Sequence, residues 1–259
     1  MSATFVDTHC HFDFPPFSGN EAHSLQRAAA AGIEKIIVPA TGAARFNGVL
    51  KLADAWPPLY AALGMHPVFI DTHREDDDLA VLADLLHQRL PKLVAIGEIG
   101  LDLFIPQPQF ERQLALLDAQ LRLARDYDLP VILHSRRAHD KLAQRLRRIC
   151  LGRGGVIHGF AGSLVQARAF IALGYKIGVG GTITWPRASK TRQTIAQLPL
   201  SSLLLETDAP DMPLQGYQGQ LNRPERLADV WRVLCELRSE SPQLIAETIR
   251  ANTRALFAI

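Results

Sequence analysis

Phe5-Val6-Asp7-Thr8-His9-Cys10-His11 begins in apolar residues and ends in two histidines, and seven more short apolar runs recur along the chain. They centre on Ile36-Ile37-Val38, Tyr60-Ala61-Ala62-Leu63, Val94-Ala95-Ile96, Val131-Ile132-Leu133, Val156-Ile157, Ile177-Gly178-Val179 and Leu203-Leu204-Leu205. Their length and β-branched content read as strands. The stretches 21–31, 79–88, 109–126, 139–149, 164–173 and 224–237 carry helical periodicity, and Gly32 and Gly174 stand where helices would stop. Eight strands alternating with helices in 259 residues predict an α/β fold, a TIM-type (β/α)8 barrel, with an open doubly wound sheet as the alternative. The seventh repeat, around residues 189–198, is short and weak, so distortion is expected there. No linker with a shift in composition interrupts the chain, and residues 1–259 read as one domain.

Composition narrows the function. With 28 Lys plus Arg against 26 Asp plus Glu, the net charge is +2, which gives little long-range pull on nucleic acid or a membrane surface. Any polyanion has to be gripped locally. At 47% apolar and 21% charged, the chain is that of a globular protein rather than a disordered one. No basic segment followed by an apolar stretch opens it, and no run of apolar residues is long enough to span a bilayer. The three cysteines, Cys10, Cys150 and Cys235, form no Cys-x-x-Cys pair and read as ordinary thiols of a cytoplasmic protein.

In a parallel barrel the strand interiors are apolar, so ionisable groups where strands end require a reason. Strand periodicity puts His9 and His11 on one face. The fourth run ends Gly97-Glu98-Ile99-Gly100-Leu101-Asp102, the fifth His134-Ser135-Arg136, the sixth His158-Gly159-Phe160, and the eighth Glu206-Thr207-Asp208-Ala209-Pro210. One such residue alone reads as a satisfied core group or a strand-end cap. Together, His9, His11, Glu98, His134, His158 and Asp208 are an imidazole and carboxylate set suited to Zn, Mn or Fe, with Mg tolerable. Six side chains exceed what one open site needs, and two ions sharing a carboxylate would use them all. His66, in Gly64-Met65-His66-Pro67, belongs to the same rim as a substrate-binding group. His23, His73, His87 and His139 read as solvated residues of loops and polar helix faces.

These segments, in this order, resemble the TatD family of metal-dependent hydrolases, within the wider amidohydrolase-like barrels. The resemblance rests on Val6-Asp7-Thr8-His9-Cys10-His11, Gly64-Met65-His66-Pro67, Ala95-Ile96-Gly97-Glu98-Ile99-Gly100-Leu101-Asp102, Ile132-Leu133-His134-Ser135-Arg136, Ile157-His158-Gly159-Phe160-Ala161-Gly162 and Leu204-Leu205-Glu206-Thr207-Asp208-Ala209-Pro210. It implies a TIM-type barrel with two divalent ions (Zn, Mn or Mg) and hydrolase activity, commonly deoxyribonuclease activity. It further implies that His9, His11 and Asp208 hold one ion, His134 and His158 the other, and that Glu98 lies between them. Two segments depart from the family pattern. Asp102 is followed by Leu103-Phe104 where the family often has an aromatic pair, and Asn222-Arg223-Pro224 stands where Asn-Glu-Pro is usual.

The expected function is therefore a divalent-metal-dependent phosphodiesterase or deoxyribonuclease acting on DNA ends through a water activated by two metals. The alternatives are a hydrolase of a small amide, lactone or ester, and a protein that binds metal or nucleic acid without turnover. Asp208 is the candidate general base, with Glu98 beside it, and Arg136 and His66 are the candidate phosphate contacts. Asp7 and Glu206, two residues before His9 and Asp208, are expected to orient ligands from one layer deeper. DNA or another phosphodiester is the transient partner, and no membrane or obligate protein partner is expected. Arg136, Arg137, Arg187, Lys190 and Arg192, with Trp185, form a basic set in predicted loops, but no aromatic platform for stacking bases is legible among the strand-end residues.

Overall fold

The structure is a computed structural model that describes residues 3–259. Its strands are β1 (Phe5–Asp7), β2 (Ile33–Pro39), β3 (Leu59–Leu63), β4 (Leu93–Asp102), β5 (Val131–Arg136), β6 (Gly155–Ile157), β7 (Tyr175–Val179) and β8 (Leu203–Leu205). All pair in parallel, in sequence order, in one sheet. The sheet closes on itself just past the ends of its first and last strands. There Thr8 N donates to Leu205 O (3.1 Å), Asp208 N to His9 O (2.8 Å) and His11 N to Ala209 O (2.7 Å). The result is a (β/α)8 barrel.

The helices are α1 (Glu21–Ala30), α2 (Ala43–Ala55), α3 (Glu75–His87), α4 (Phe110–Asp126), α5 (His139–Ile149), α6 (Leu164–Ala172), α7 (Ser189–Gln197), α8 (Leu227–Leu237) and α9 (Pro242–Phe257). The third begins a turn before the apolar periodicity, because Glu75, Asp76, Asp77 and Asp78 crowd its first turn, where the helix dipole favours acids. Residues 224–226 form a 3-10 turn rather than the start of α8. Sequence periodicity did not single out α2 or α9, yet both bury regularly spaced apolar residues, Phe46, Val49 and Ala53 in one and Ile245, Ile249 and Leu256 in the other. The seventh repeat is short, with a 3-10 turn at Gly181–Thr184 leading to a helix of 9 residues.

Alternation along the strands divides the apolar residues into two layers. Ile36, Val38, Leu63, Leu133 and Leu205 join the large core beneath the helices. Their neighbours Ile37, Ala62, Ile132, Val156 and Leu204 fill the barrel interior, where Leu256 and Phe257 of α9 pack beneath them. β4 breaks the alternation. Ile96 pairs with Val131 and Ile99 with Leu133, so three steps on β4 oppose two on β5. Both isoleucines belong to the outer core, and the extra residue in this bulge turns Glu98 inward, whereas strict alternation would place it on the face of Ile96.

Because Phe257 is 2% exposed and plugs the interior, Phe257→Ala should cost about 3–5 kcal/mol, read as a lower urea midpoint with an unchanged slope.

Candidate metal centre

The carboxyl-terminal rim gathers His9, His11, His66, His134, His158 and Asp208 around one carboxylate, that of Glu98, which is 1% exposed. Its two oxygens face different partners. Oε1 lies 2.8 Å from His158 Nε2, 3.0 Å from His134 Nδ1 and 2.9 Å from His66 Nε2. Oε2 lies 3.2 Å from His9 Nε2 and 3.7 Å from His11 Nε2. Asp208 Oδ1 completes the second group, 3.5 Å from His9 Nε2 and 3.8 Å from His11 Nε2. The His9 and His158 rings stack with centroids 3.9 Å apart.

The outer nitrogen of each ring decides what its inner nitrogen can do, since a neutral imidazole carries one proton. His11 Nδ1 is 3.3 Å from Pro39 O, and His134 Nε2 is 2.8 Å from Asp102 Oδ2. His158 Nδ1 faces Glu206 Oε1 at 3.6 Å, a charge attraction longer than a hydrogen bond. Acceptors therefore hold the proton on the outer nitrogen of His11 and His134 and leave a lone pair pointing inward, whereas His158 Nδ1 has no hydrogen-bond partner among the described residues. His66 is the opposite case. Its Nδ1 accepts from Val68 N (3.0 Å), so its proton sits on Nε2 and its inner nitrogen can only donate. Inward lone pairs on the His11 and His134 imidazoles, with carboxylates between, fit divalent cations. His9 Nδ1 is buried without a hydrogen-bond partner among the described residues.

The electrostatics follow from this crowding. Burial pushes the Glu98 carboxyl up, but the imidazoles of His66, His158 and His9 outweigh it and hold the group well below the carboxylate range. Burial likewise opposes a charge on His158, yet Glu98 and Glu206 raise its pKa well above the usual value. His9 is driven well below its usual value by burial and then by His158. Burial lifts the Asp208 carboxyl to about 6, against the pull of His158 and His11.

The second layer mixes expected and unexpected residues. Glu206 faces His158 as anticipated and also accepts from Gly159 N. Gly178 makes room for it, because a Cβ there would stand 2.4 Å from Glu206 Oε2. Asp7 holds a different part of the rim. It accepts from Thr207 N (2.9 Å), Thr207 Oγ1 (2.6 Å) and His9 N (3.3 Å), so it ties the backbone of the first and eighth strands instead of orienting an imidazole. Asp208 itself adopts a left-handed φ of 57°, costly for a non-glycine residue and kept in place by this lacing. Asp102, the partner of His134, went unassigned in the sequence, although it shares the parity of Glu98 and Gly100. Asn222 is also new here, donating through Nδ2 to Thr207 O (2.8 Å) beside Asp208.

Several rim expectations change. His73 is buried and places Nε2 2.9 Å from His66 O, and His139 packs against Phe160 with centroids 5.2 Å apart; only His23 and His87 are exposed as expected. Their neighbours explain it, since both rings fill gaps beside apolar or backbone groups that pattern alone does not reveal. Two exposed aromatic rings do stand at the mouth, Phe69 (43%) and Phe104 (46%). Both lie past the strand ends that were searched. In the seventh repeat, Trp185 is half-buried and donates to Pro213 O, and Arg192 donates to Ile183 O. That leaves Arg187, 4.6 Å over Trp185, and Lys190 exposed on that side.

A family model described as TatD related DNase matches residues 6–258. The chain belongs to this family. It is 64% identical over 259 residues to the uncharacterized metal-dependent hydrolase YjjV of Escherichia coli (strain K12), with all of both chains covered. The crystal structure of YjjV, a TatD homolog, superposes with a TM-score of 0.98, again over all of both chains. A 3'-5' ssDNA/RNA exonuclease TatD from Rahnella sp. (strain Y9602) is 31% identical over 250 residues, 94% of each chain. The protein is thus a TatD-family metal-dependent hydrolase with several groups of residues able to bind metal. No helix among the described residues is long and apolar enough to cross a membrane.

If Asp102 sets the His134 ring, Asp102→Asn should weaken divalent-ion affinity about 10- to 100-fold with the fold intact, as loss of an orienting partner does elsewhere. Titration with Mn(II), followed by its magnetic resonance signal, measures this directly.

Proposed function

We propose that this TatD-family protein hydrolyses phosphodiester bonds at single-stranded ends of DNA or RNA, with two divalent ions held on either side of Glu98. The observation that carries the reading is the division of the Glu98 carboxylate. One oxygen serves His134 and His158, the other serves His9 and His11 beside Asp208. That is the arrangement of two donor sets sharing one bridge. The relatives named 3'-5' ssDNA/RNA exonucleases support the substrate class.

Ions bound there would supply Lewis acidity toward a phosphoryl oxygen and a lowered pKa for water. The chain's own residues supply the rest. Asp208, with 21% of its side chain exposed, is the carboxylate at the mouth and would accept the proton of the attacking water. His66, protonated on Nε2 and pushed below its usual pKa by burial, stays neutral and aims that proton at Glu98 Oε1 (2.9 Å), a donor released toward a phosphoryl oxygen when an ion takes up Oε1. Arg136 stands exposed at the tip of β5, where its planar fork suits a phosphate.

Elemental analysis of protein saturated with Mn(II) or Zn(II) should give two ions per chain in the wild type and a clear loss in Glu98→Ala. One ion in the wild type, with Glu98 unliganded in anomalous maps, removes the bridge.

His9→Ala, Glu98→Ala and Asp208→Ala should each lower cleavage of a single-stranded oligonucleotide by more than about 100-fold, beyond the loss from an orienting partner, with the circular dichroism spectrum retained. Assaying the wild type against small amides, lactones and a small phosphodiester, with and without chelator, tests the substrate class. Turnover of any amide or lactone above that of both phosphodiesters overturns the reading.

A further inference from the structure

Beyond the ligand cluster, the tips of β4 and β5 bring together Asp102, Phe104, Arg136 and Arg137, of which Phe104 and Arg137 have no role so far. Phe104 N donates to Asp102 Oδ1 (2.8 Å), the carboxylate whose other oxygen holds His134, and Leu103 N donates to Arg136 O (2.9 Å). Phe104 is thereby fixed one side chain away from the candidate metal centre. The guanidinium carbons of Arg136 and Arg137 lie 3.8 Å and 4.5 Å from the centre of its ring. Successive residues at a strand end normally point to opposite sides. Here Arg137 has a left-handed φ of 54°, a conformation disfavoured without glycine, and both arginines meet the same ring.

Two like charges brought together on one ring repel each other, and cation–π attraction offsets that only in part. A structural ion pair would place a carboxylate between them. Among the described residues, neither guanidinium has a salt-bridge partner, and neither donates a side-chain hydrogen bond. Both arginines are exposed. A pair of oriented, uncompensated forks at the mouth of a phosphodiesterase site is a receptor for a further anion.

We infer that Phe104 positions Arg136 and Arg137 as a clamp for a second phosphate, the one neighbouring the scissile phosphate along the strand. The inference rests on the phosphodiester reading above and extends it. The clamp lies past Asp102, on the far side of His134 from Glu98, and so engages a group other than the one under attack. It makes the substrate a chain of nucleotides rather than an isolated diester, and it supplies locally the grip that a net charge of +2 does not supply at long range. Arg136 and Arg137 are binding residues in this scheme, and Phe104 is a positioning residue.

The test uses binding, so it does not depend on turnover. A fluorescein-labelled single strand of six thymidylates is titrated with the protein in EDTA over a series of NaCl concentrations, and Kd is read by anisotropy. Arg137→Ala should raise Kd on the order of tenfold, as expected for loss of a charge-assisted contact. It should also flatten the dependence of log Kd on log salt by about 0.7, the value for one phosphate contact on a single strand. Phe104→Leu should weaken binding while keeping the salt slope, and Phe104→Trp should restore affinity, a rescue that a mere packing role would not give. Arg122→Ala removes an exposed charge on α4 and should change neither quantity. Wild-type affinity and slope in Arg137→Ala, equal losses in Arg122→Ala, or no binding by the wild type each overturn the clamp. Adding Mn(II) separates the two claims. A strand bound through Arg137 yet left uncut rejects the phosphodiester reading and keeps the clamp, and a strand cut with no dependence of binding on Arg137 does the reverse.

Discussion

A carboxylate sealed from water inside a barrel is stable only if positive or polarised groups surround it, because the desolvation of an isolated charge far exceeds any packing gain. Glu98 is that carboxylate, and five imidazoles answer it, from the ends of β1, β3, β5 and β6. The bulge in β4 brings Glu98 to the inner face. The architecture around it follows, since parallel strands in a closed sheet present their carboxyl ends to a common centre. Imidazoles from four strands can meet one carboxylate only where all four ends converge.

The second requirement concerns protons. Five imidazoles around one carboxylate would repel if all were charged and would leave lone pairs unused if all were free to choose their tautomer. The outer contacts remove the choice. Pro39 O and Asp102 fix the His11 and His134 rings with lone pairs inward, and Val68 N fixes His66 the other way. His66 is thus a donor beside rings whose lone pairs point inward, and a single backbone N–H sets it apart.

Much of this was legible in the sequence, and the parts that were not share a cause. The eight apolar runs located every strand within a few residues, and strand parity brought His9 with His11 and delivered His134, His158 and Asp208 to one rim. Parity alone could not show that Glu98 turns inward, because the bulge at Gly97-Glu98 depends on the facing strand. It also failed for Asp7, whose partner Thr207 lies 200 residues away. His73 was read as solvated because its burial comes from Arg112, which reaches back from α4 to the His73 carbonyl (2.8 Å), and from the turn holding His66. Phe104 lies beyond the strand ends, where the rules that rank inward-facing positions no longer apply.

The seam between β1 and β8 links the site to the order in which the chain comes together. His9 and His11 emerge first from the ribosome, and Asp208 joins them about 200 residues later through Asp208 N to His9 O and His11 N to Ala209 O. Contacts so distant in sequence form late in folding, after nearer ones have prepaid the loop entropy. A nascent chain that has completed β1 to β7 already contains every imidazole of the cluster, yet it lacks the carboxylate at the mouth and the lacing that sets the first two rings. Assembly of the centre therefore coincides with barrel closure, and the site cannot be complete on a nascent polypeptide that has not yet passed β8.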